Sequence, residues 1–169
     1  WGQYDKAMKY HEEALATFRK LGQEGSVASL LNNIGDVYKS WGQYDKAMKY
    51  HEEALATFKK LGMEGSVAAV FGNIGEAYYS QGKYKTAIKF FIDSISIKEK
   101  LRKTATGDVR RDYLASQLGT YQLLVSAYIR DSDFPSAFQT VELSRAKLLA
   151  ERLARDESKV RLPEVKQIQ

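Results

Sequence analysis

Residues 41–80 read WGQYDKAMKYHEEALATFKKLGMEGSVAAVFGNIGEAYYS, and residues 1–40 spell nearly the same block. The two align without a gap and differ at nine positions, leaving 31 of 40 identical. The differences are Arg19/Lys59, Gln23/Met63, Ser29/Ala69, Leu30/Val70, Leu31/Phe71, Asn32/Gly72, Asp36/Glu76, Val37/Ala77 and Lys39/Tyr79. A third copy opens at Gln81 and diverges, with Ala87 standing where Ala47 does. A fourth, weaker echo sets Phe134 and Ala137 against Tyr84 and Ala87, at a spacing of 50 rather than 40. The extra ten residues are expected in a loop around positions 104–111. A period of this length indicates a solenoid, because no single unit can bury its apolar face alone.

Each unit reads as two helices. Tyr44, Ala47, Met48, His51, Ala54, Leu55 and Phe58 recur at intervals of three and four, the period of one helix face. Leu61-Gly62 supplies a stop, since glycine accepts the left-handed conformation that closes a helix. Ser66 is the expected N-cap of the second helix, with Ser26 in the same role one unit earlier. Val67, Val70, Phe71, Ile74 and Tyr78 form the next apolar stripe. The expected helices are 4–20, 26–40, 44–60, 66–80, 84–103, 110–130 and 135–156. Gly35 and Gly75 fall inside helices, where each costs about 1 kcal/mol relative to Ala. The repetition in register predicts a close helix–helix approach against the small Ala47 and Ala87. The array is expected to span residues 1–157, with 158–169 as a tail or linker.

Composition removes several function classes. The chain has 169 residues, no Cys and two His, which excludes disulfides, thiolate metal sites and Cys nucleophiles. No run of about 18 apolar residues occurs, so no membrane span is predicted and a cytoplasmic location is expected. The formal charge is +5, and residues 98–111 contribute +4 of it. A solvated loop accounts for that excess, and no basic stripe interleaved with aromatic residues or reading motif suggests a nucleic-acid partner. His11 and His51 sit on the apolar stripe at a position taken by Phe91 in the next copy, which predicts a packing role. Adjacent carboxylates such as Glu52-Glu53 point about 100° apart on a helix and cannot act as an acid–base pair. With no phosphate loop, Ser–His–Asp set or metal spacing, neither an enzyme nor a cofactor is expected.

The run AAVFGNIGEAYYSQGKYKTAIKFFIDSI from Ala68 resembles the tetratricopeptide repeat. The resemblance rests on Phe71, Ile74-Gly75, Tyr78, Gly82, Tyr84, Ala87, Phe91 and Ser94, and on Leu31, Ile34-Gly35, Tyr38, Gly42, Tyr44, Ala47, His51 and Ala54 one unit earlier. It covers residues 1 to about 155. The 40-residue unit is similar to the longer-helix subtype of LGN-like scaffolds and many bacterial multidomain proteins. The resemblance implies an all-α fold, a right-handed superhelix of antiparallel helix pairs, and a protein or peptide partner held in a concave groove. The closing AFQTVELSRAKLLAERLARD resembles the segment joining such arrays to a caspase-like CHAT protease domain. That similarity implies an alternative role as the sensor arm of a larger enzyme.

In this family the first helix of each pair lines the concave face. Carried over, that position gives Asn32, Asn33, Asp36, Lys39 and Ser40, then Gly72, Asn73, Glu76, Tyr79 and Ser80, then Gln122, Ser126 and Arg130. Asn33 and Asn73 match the family position whose amide often holds a bound peptide backbone, and Asn offers two donors and an acceptor for that task. Ser29 and Ala69 stand where a carboxylate-clamping Lys would be needed, so no such clamp is expected. Asp36 and Glu76 instead favour a basic ligand. The first helix lacks the partner that would cover its inner stripe, which predicts self-association through Trp1 and Phe18.

Overall fold

The computed structural model describes residues 2–157 and contains, among them, seven helices and no strand. They are α1 (Gly2–Lys20), α2 (Glu24–Ser40), α3 (Tyr44–Lys60), α4 (Glu64–Ser80), α5 (Tyr84–Thr104), α6 (Gly107–Arg130) and α7 (Phe134–Glu157). Each helix packs on its chain neighbours in serial order, which makes the fold an α-solenoid. The expected contact through Trp1 and the expected tail at 158–169 lie outside the described residues.

The linkers explain the repeat boundary. Gly22, Gly42, Gly62 and Gly82 all take positive φ, between 66° and 75°. Each lets the chain fold back so that two amides cap the preceding helix. Around Gly62, its own N–H donates to the Lys59 carbonyl at 3.1 Å and that of Met63 to the Phe58 carbonyl at 3.0 Å. Ser132 fills the same role at φ 63°, a conformation that strains any residue with a Cβ.

Three expectations fail for physical reasons. Ser26 and Ser66 are not N-caps. α2 and α4 begin two residues earlier, Gln23 and Met63 hold the cap positions, and neither makes a side-chain cap. The left-handed glycine turn already sets the chain in the helical direction, so no serine is required. The inserted residues also form no loop. α5 has 21 residues and α6 has 24, against 17 in α3 and α4, and only Ala105 and Thr106 lie between them. The insertion therefore lengthens a helical hairpin. Two of its basic residues are held rather than solvated, with Arg102 bonded to Glu99 and Glu151, and Arg110 to Glu151, while Lys100 and Lys103 stay exposed. Finally, Gly35 and Gly75 make room for rings, not for Ala47 and Ala87. A methyl group at Gly35 would sit 2.6 Å from Cε1 of His51, and one at Gly75 would sit 2.6 Å from Cε1 of Phe91.

The core runs the length of the array. Ala28, Leu31, Ile34, Ala54, Phe58, Val70 and Ile74 are buried around α2–α4, and Ala87, Phe91, Tyr121, Leu124 and Ala127 continue it through α6. Besides the serial pairs, the backbone of α2 approaches that of α4 and α4 that of α6, whereas α1, α3, α5 and α7 make no such backbone approach to one another among the described residues and meet only through side chains. Helices that meet are on the inside of a curve, and helices that do not are on its outside. This places α2, α4 and α6 along the concave face.

Candidate functional site

The concave face is organised by a chain of polar side chains that crosses from α2 to α4. Asn73 on α4 donates from Nδ2 to Asn32 Oδ1 at 3.1 Å and to Asp36 Oδ2 at 3.0 Å, both on α2. One turn further along, Lys39 Nζ donates to Glu76 Oε2 at 2.7 Å and lies 3.0 Å from Asp36 Oδ1. Five of the expected residues, Asn32, Asp36, Lys39, Asn73 and Glu76, thus form one cluster. Lys39 has only 15% of its side chain exposed. Burial alone would lower its pKa, but the hydrogen bond to Glu76 and the charge of Asp36 outweigh burial and raise it. The ammonium is therefore fixed as a cation between two carboxylates.

Behind this ridge lies His51 on α3, fully buried. Its Nδ1 meets Asn32 Oδ1 at 3.0 Å. A carbonyl oxygen can only accept, so Nδ1 carries the proton and Nε2 is the bare nitrogen. Nε2 has no hydrogen-bond partner and lies 3.9 Å from Asp36 Oδ1. Burial pushes the His51 pKa down to about 4, with the Asp36 charge opposing and Lys39 adding to the fall. In the next unit the same two positions hold Gly72 and Phe91. The exchange removes both partners of the His51–Asn32 hydrogen bond together. The packing role read for His51 holds, and the hydrogen bond to Asn32 is the part that register alone did not reveal.

A second cluster sits where α4, α5 and α6 meet. Arg130 donates from Nε to Tyr84 Oη at 3.1 Å and lies over that ring, 5.5 Å from its centroid. Tyr79 meets Tyr84 edge-on at 5.4 Å. Two expected residues, Tyr79 and Arg130, are joined here through a tyrosine that was not expected. Asn33 and Gln122 are exposed and belong to neither cluster. Lys98 was also missed. It donates to Thr120 Oγ1 at 3.0 Å, and burial lowers its pKa while Glu76 opposes. The signal was present in register, since Lys98 occupies the position of Phe18 and Phe58.

The third cluster ties α7 to the array. Glu99 on α5 accepts from Arg102 at 2.9 Å, from Gln117 on α6 at 3.2 Å, and lies 3.0 Å from Lys147 on α7. The bond from Arg102 is the main reason the Glu99 pKa falls to about 2. Glu151 on α7 meets Arg102 and Arg110, each at 3.1 Å. Ionic contacts here replace an apolar seam. Among the described residues, no three His, Cys, Asp or Glu side chains cluster as a metal site would require, and no helix is long and apolar enough to cross a membrane.

The serial stacking of the seven helices agrees with comparisons to known proteins. A tetratricopeptide-repeat family model matches residues 2–60 and 28–100. No curated protein matches the sequence significantly. Among solved structures, BtubC (BKLC) from P. vanneervenii is similar with a TM-score of 0.73 and 26% identity over 100% of this chain and 63% of that one. This chain therefore spans less than two thirds of that relative. A putative kinesin light chain from Podosopora anserina with nearly identical TPR-like repeats has a TM-score of 0.53 at 17% identity, covering 86% of this chain and 87% of its own. A point variant of that same protein gives 0.54 at 17%, with 89% and 90% covered. The last two show the fold alone. Repeats of this kind are typically non-catalytic scaffolds that mediate protein–protein interaction. By the family match and the serial stacking of its helix pairs, the chain is a member of the tetratricopeptide-repeat family.

Proposed function

We propose that the protein is an interaction scaffold whose concave ridge holds an extended, basic segment of a partner. The observation that carries this reading is the capture of Lys39 between Asp36 and Glu76, two carboxylates that project from neighbouring helices to one point. Each carboxylate has several acceptor directions, so one ammonium does not exhaust the pair. Asn73 spends both its N–H bonds within the ridge, and its carbonyl remains the group available to a partner amide. Exposed Asn33 offers both functions to a peptide backbone. Tyr79, Arg130 and Gln122 extend the surface toward α6. The internal comparison favours the same face: seven of the nine differences between the first two units fall at positions 29–39 and 69–79, on α2 and α4. The outer helices are nearly copied while the inner helices change; Leu30/Val70, Leu31/Phe71 and Val37/Ala77 are core positions, and Asn32/Gly72, Asp36/Glu76 and Lys39/Tyr79 fall at the expected ligand-facing positions.

The test is isothermal titration with a Lys/Arg-rich extended peptide as probe. Asp36→Asn with Glu76→Gln, and Asn33→Ala, should each weaken binding by about 1 kcal/mol per lost bond, roughly fivefold. Unchanged affinity in both variants removes the reading. The alternative of a sensor arm on a caspase-like enzyme rests on the likeness of α7 alone, and Glu151 and Lys147 of that helix are already accounted for by docking onto α5 and α6.

A further inference from the structure

The curvature that brings α2, α4 and α6 together spreads the outer helices, and two wedge-shaped cavities open between them. The first, about 400 Å³, lies between α1 and α3, floored by Phe18 and Val27. The second, about 310 Å³, lies one unit on between α3 and α5, floored by Phe58, Val67 and Ile97. Both open where the outer helices end. The exposed Leu21, Leu61 and Met63 of the linkers share this edge.

The edge is basic. Arg19, Lys20, Lys59, Lys60, Lys100 and Lys103 are all exposed there. Opposite them stand Glu24 and Glu64, bridged to Lys60 at 2.9 Å and Lys100 at 3.0 Å, and Glu53, which Arg19 reaches at 3.7 Å. Six cations face three carboxylates. The lysines of the two bridges are 68% and 71% exposed, so these pairs are weak and exchangeable.

The third wedge, between α5 and α7, shows what such a gap accepts. Lys98, Gln117 and Lys147 stand in register where Phe58, Val67 and Ile97 stand in the second. The carboxylates of Glu99 and Glu151 fill the space, held by Arg102 and Lys147. The chain thus closes its last wedge with its own acidic groups and leaves the first two open.

We propose that these two wedges form a second docking surface, distinct from the concave ridge, for an acidic extended segment of a partner protein. Its apolar side chains enter the wedges while its carboxylates pair with the cations on the rim. The splayed outer helices stand at least as far apart as packed helices, about 8–10 Å, and extended chain advances about 3.3 Å per residue, so the two anchors should be about three residues apart or more.

The experiment uses the full chain and a fluorescein-labelled peptide with a Glu-Leu-Glu-Glu-Leu-Glu core, read by anisotropy. The acidic peptide should bind, its Lys-for-Glu counterpart should not, and binding should weaken from about 50 to about 300 mM salt. Lys60→Glu with Lys100→Glu should weaken it roughly tenfold or more. Because the protein has no cysteine, Lys59→Cys carrying an environment-sensitive dye gives a second readout, and its emission should shift on peptide addition. That readout decides the matter should the double variant fail to fold by circular dichroism. No binding at about 1 mM peptide, equal binding of the basic peptide, or a silent dye overturns the proposal. Loss of acidic-peptide binding in Asn33→Ala, an exposed ridge residue outside the inner bonds, assigns the peptide to the ridge and also overturns it. Binding to phosphatidylserine vesicles without binding to the peptide identifies a membrane-facing edge and overturns it as well.

Discussion

His51 makes the stability of this array fall on mild acidification, and the two units of the chain supply the control. The folded protein holds the His51 pKa at about 4, whereas an unfolded chain returns it to about 6.5. Above pH 6.5 the ring is neutral in both states and contributes no pH dependence. Between about 6.5 and 4 the unfolded state binds a proton that the folded state refuses, so stability drops as pH falls. The shift of roughly 2.5 units corresponds to about 3 kcal/mol lost by pH 4. Glu99 enters only below about 4.5, where its depressed pKa contributes stability that is lost as pH falls toward about 2, and that loss is common to parent and variant. Asn32→Gly with His51→Phe imports the Gly72/Phe91 pair that the second unit already carries. Urea unfolding at a series of pH values, followed by circular dichroism, should then show the two proteins diverging on acidification. The variant should gain on the parent by about 3 kcal/mol between pH 7.5 and 4. A difference that stays constant across that range refutes the buried neutral state assigned to His51.

Gly75→Ala should destabilise the protein despite its better helix propensity, because the new methyl group would sit 2.6 Å from the buried Phe91 ring. A loss of about 1–3 kcal/mol is expected from chemical denaturation, and a gain would show that the ring can shift. Ser132→Gly should stabilise by about 1 kcal/mol, raising the melting temperature, since φ 63° strains serine but not glycine. Glu99→Gln should leave Arg102 and Lys147 without their shared carboxylate. It should cost about 2–3 kcal/mol and expose α7 to trypsin at lower denaturant, and an unchanged digestion pattern counts against the ionic seam.

The repeat made the architecture legible before any coordinate. Stacked helix pairs followed from the 40-residue period and from apolar spacing, and the helix ends fell within a few residues. What the sequence did not show were the contacts that cross between units. The extra ten residues read as a loop because their composition is polar, yet Glu99, Arg102, Arg110 and Glu151 pair so completely that they support helix instead. Pairing is a tertiary fact, invisible to local pattern. Likewise Ser66 has the chemistry of a cap, but the glycine turn before it starts the helix earlier. Of the ridge residues, Asn32 was expected at a ligand, and its oxygen is held by His51 and Asn73 within the ridge. The clue lay in the paired change from Asn32/His51 to Gly72/Phe91, which removes both partners of that hydrogen bond at once.

The ridge and the wedges have one mechanical cause. Bonds from Asn73 to Asn32 and Asp36, and from Lys39 to Glu76, draw α2 against α4 along the inner edge. The outer helices α1 and α3, packed on either side of α2, make no matching approach, and the gaps beside α3 are lined by Phe18 and Phe58 and by Arg19, Lys59, Lys60 and Lys100. Loosening the inner bonds would flatten the curve and narrow the wedges, so the two surfaces share a degree of freedom. At the third unit Gln122 and Ser126 replace the Asn–Asp pattern on the inner helix, and there the outer gap is bridged by Lys147–Glu99 and Arg102–Glu151. Curvature is thus set by polar groups on the inside for the first units and by ion pairs on the outside for the last.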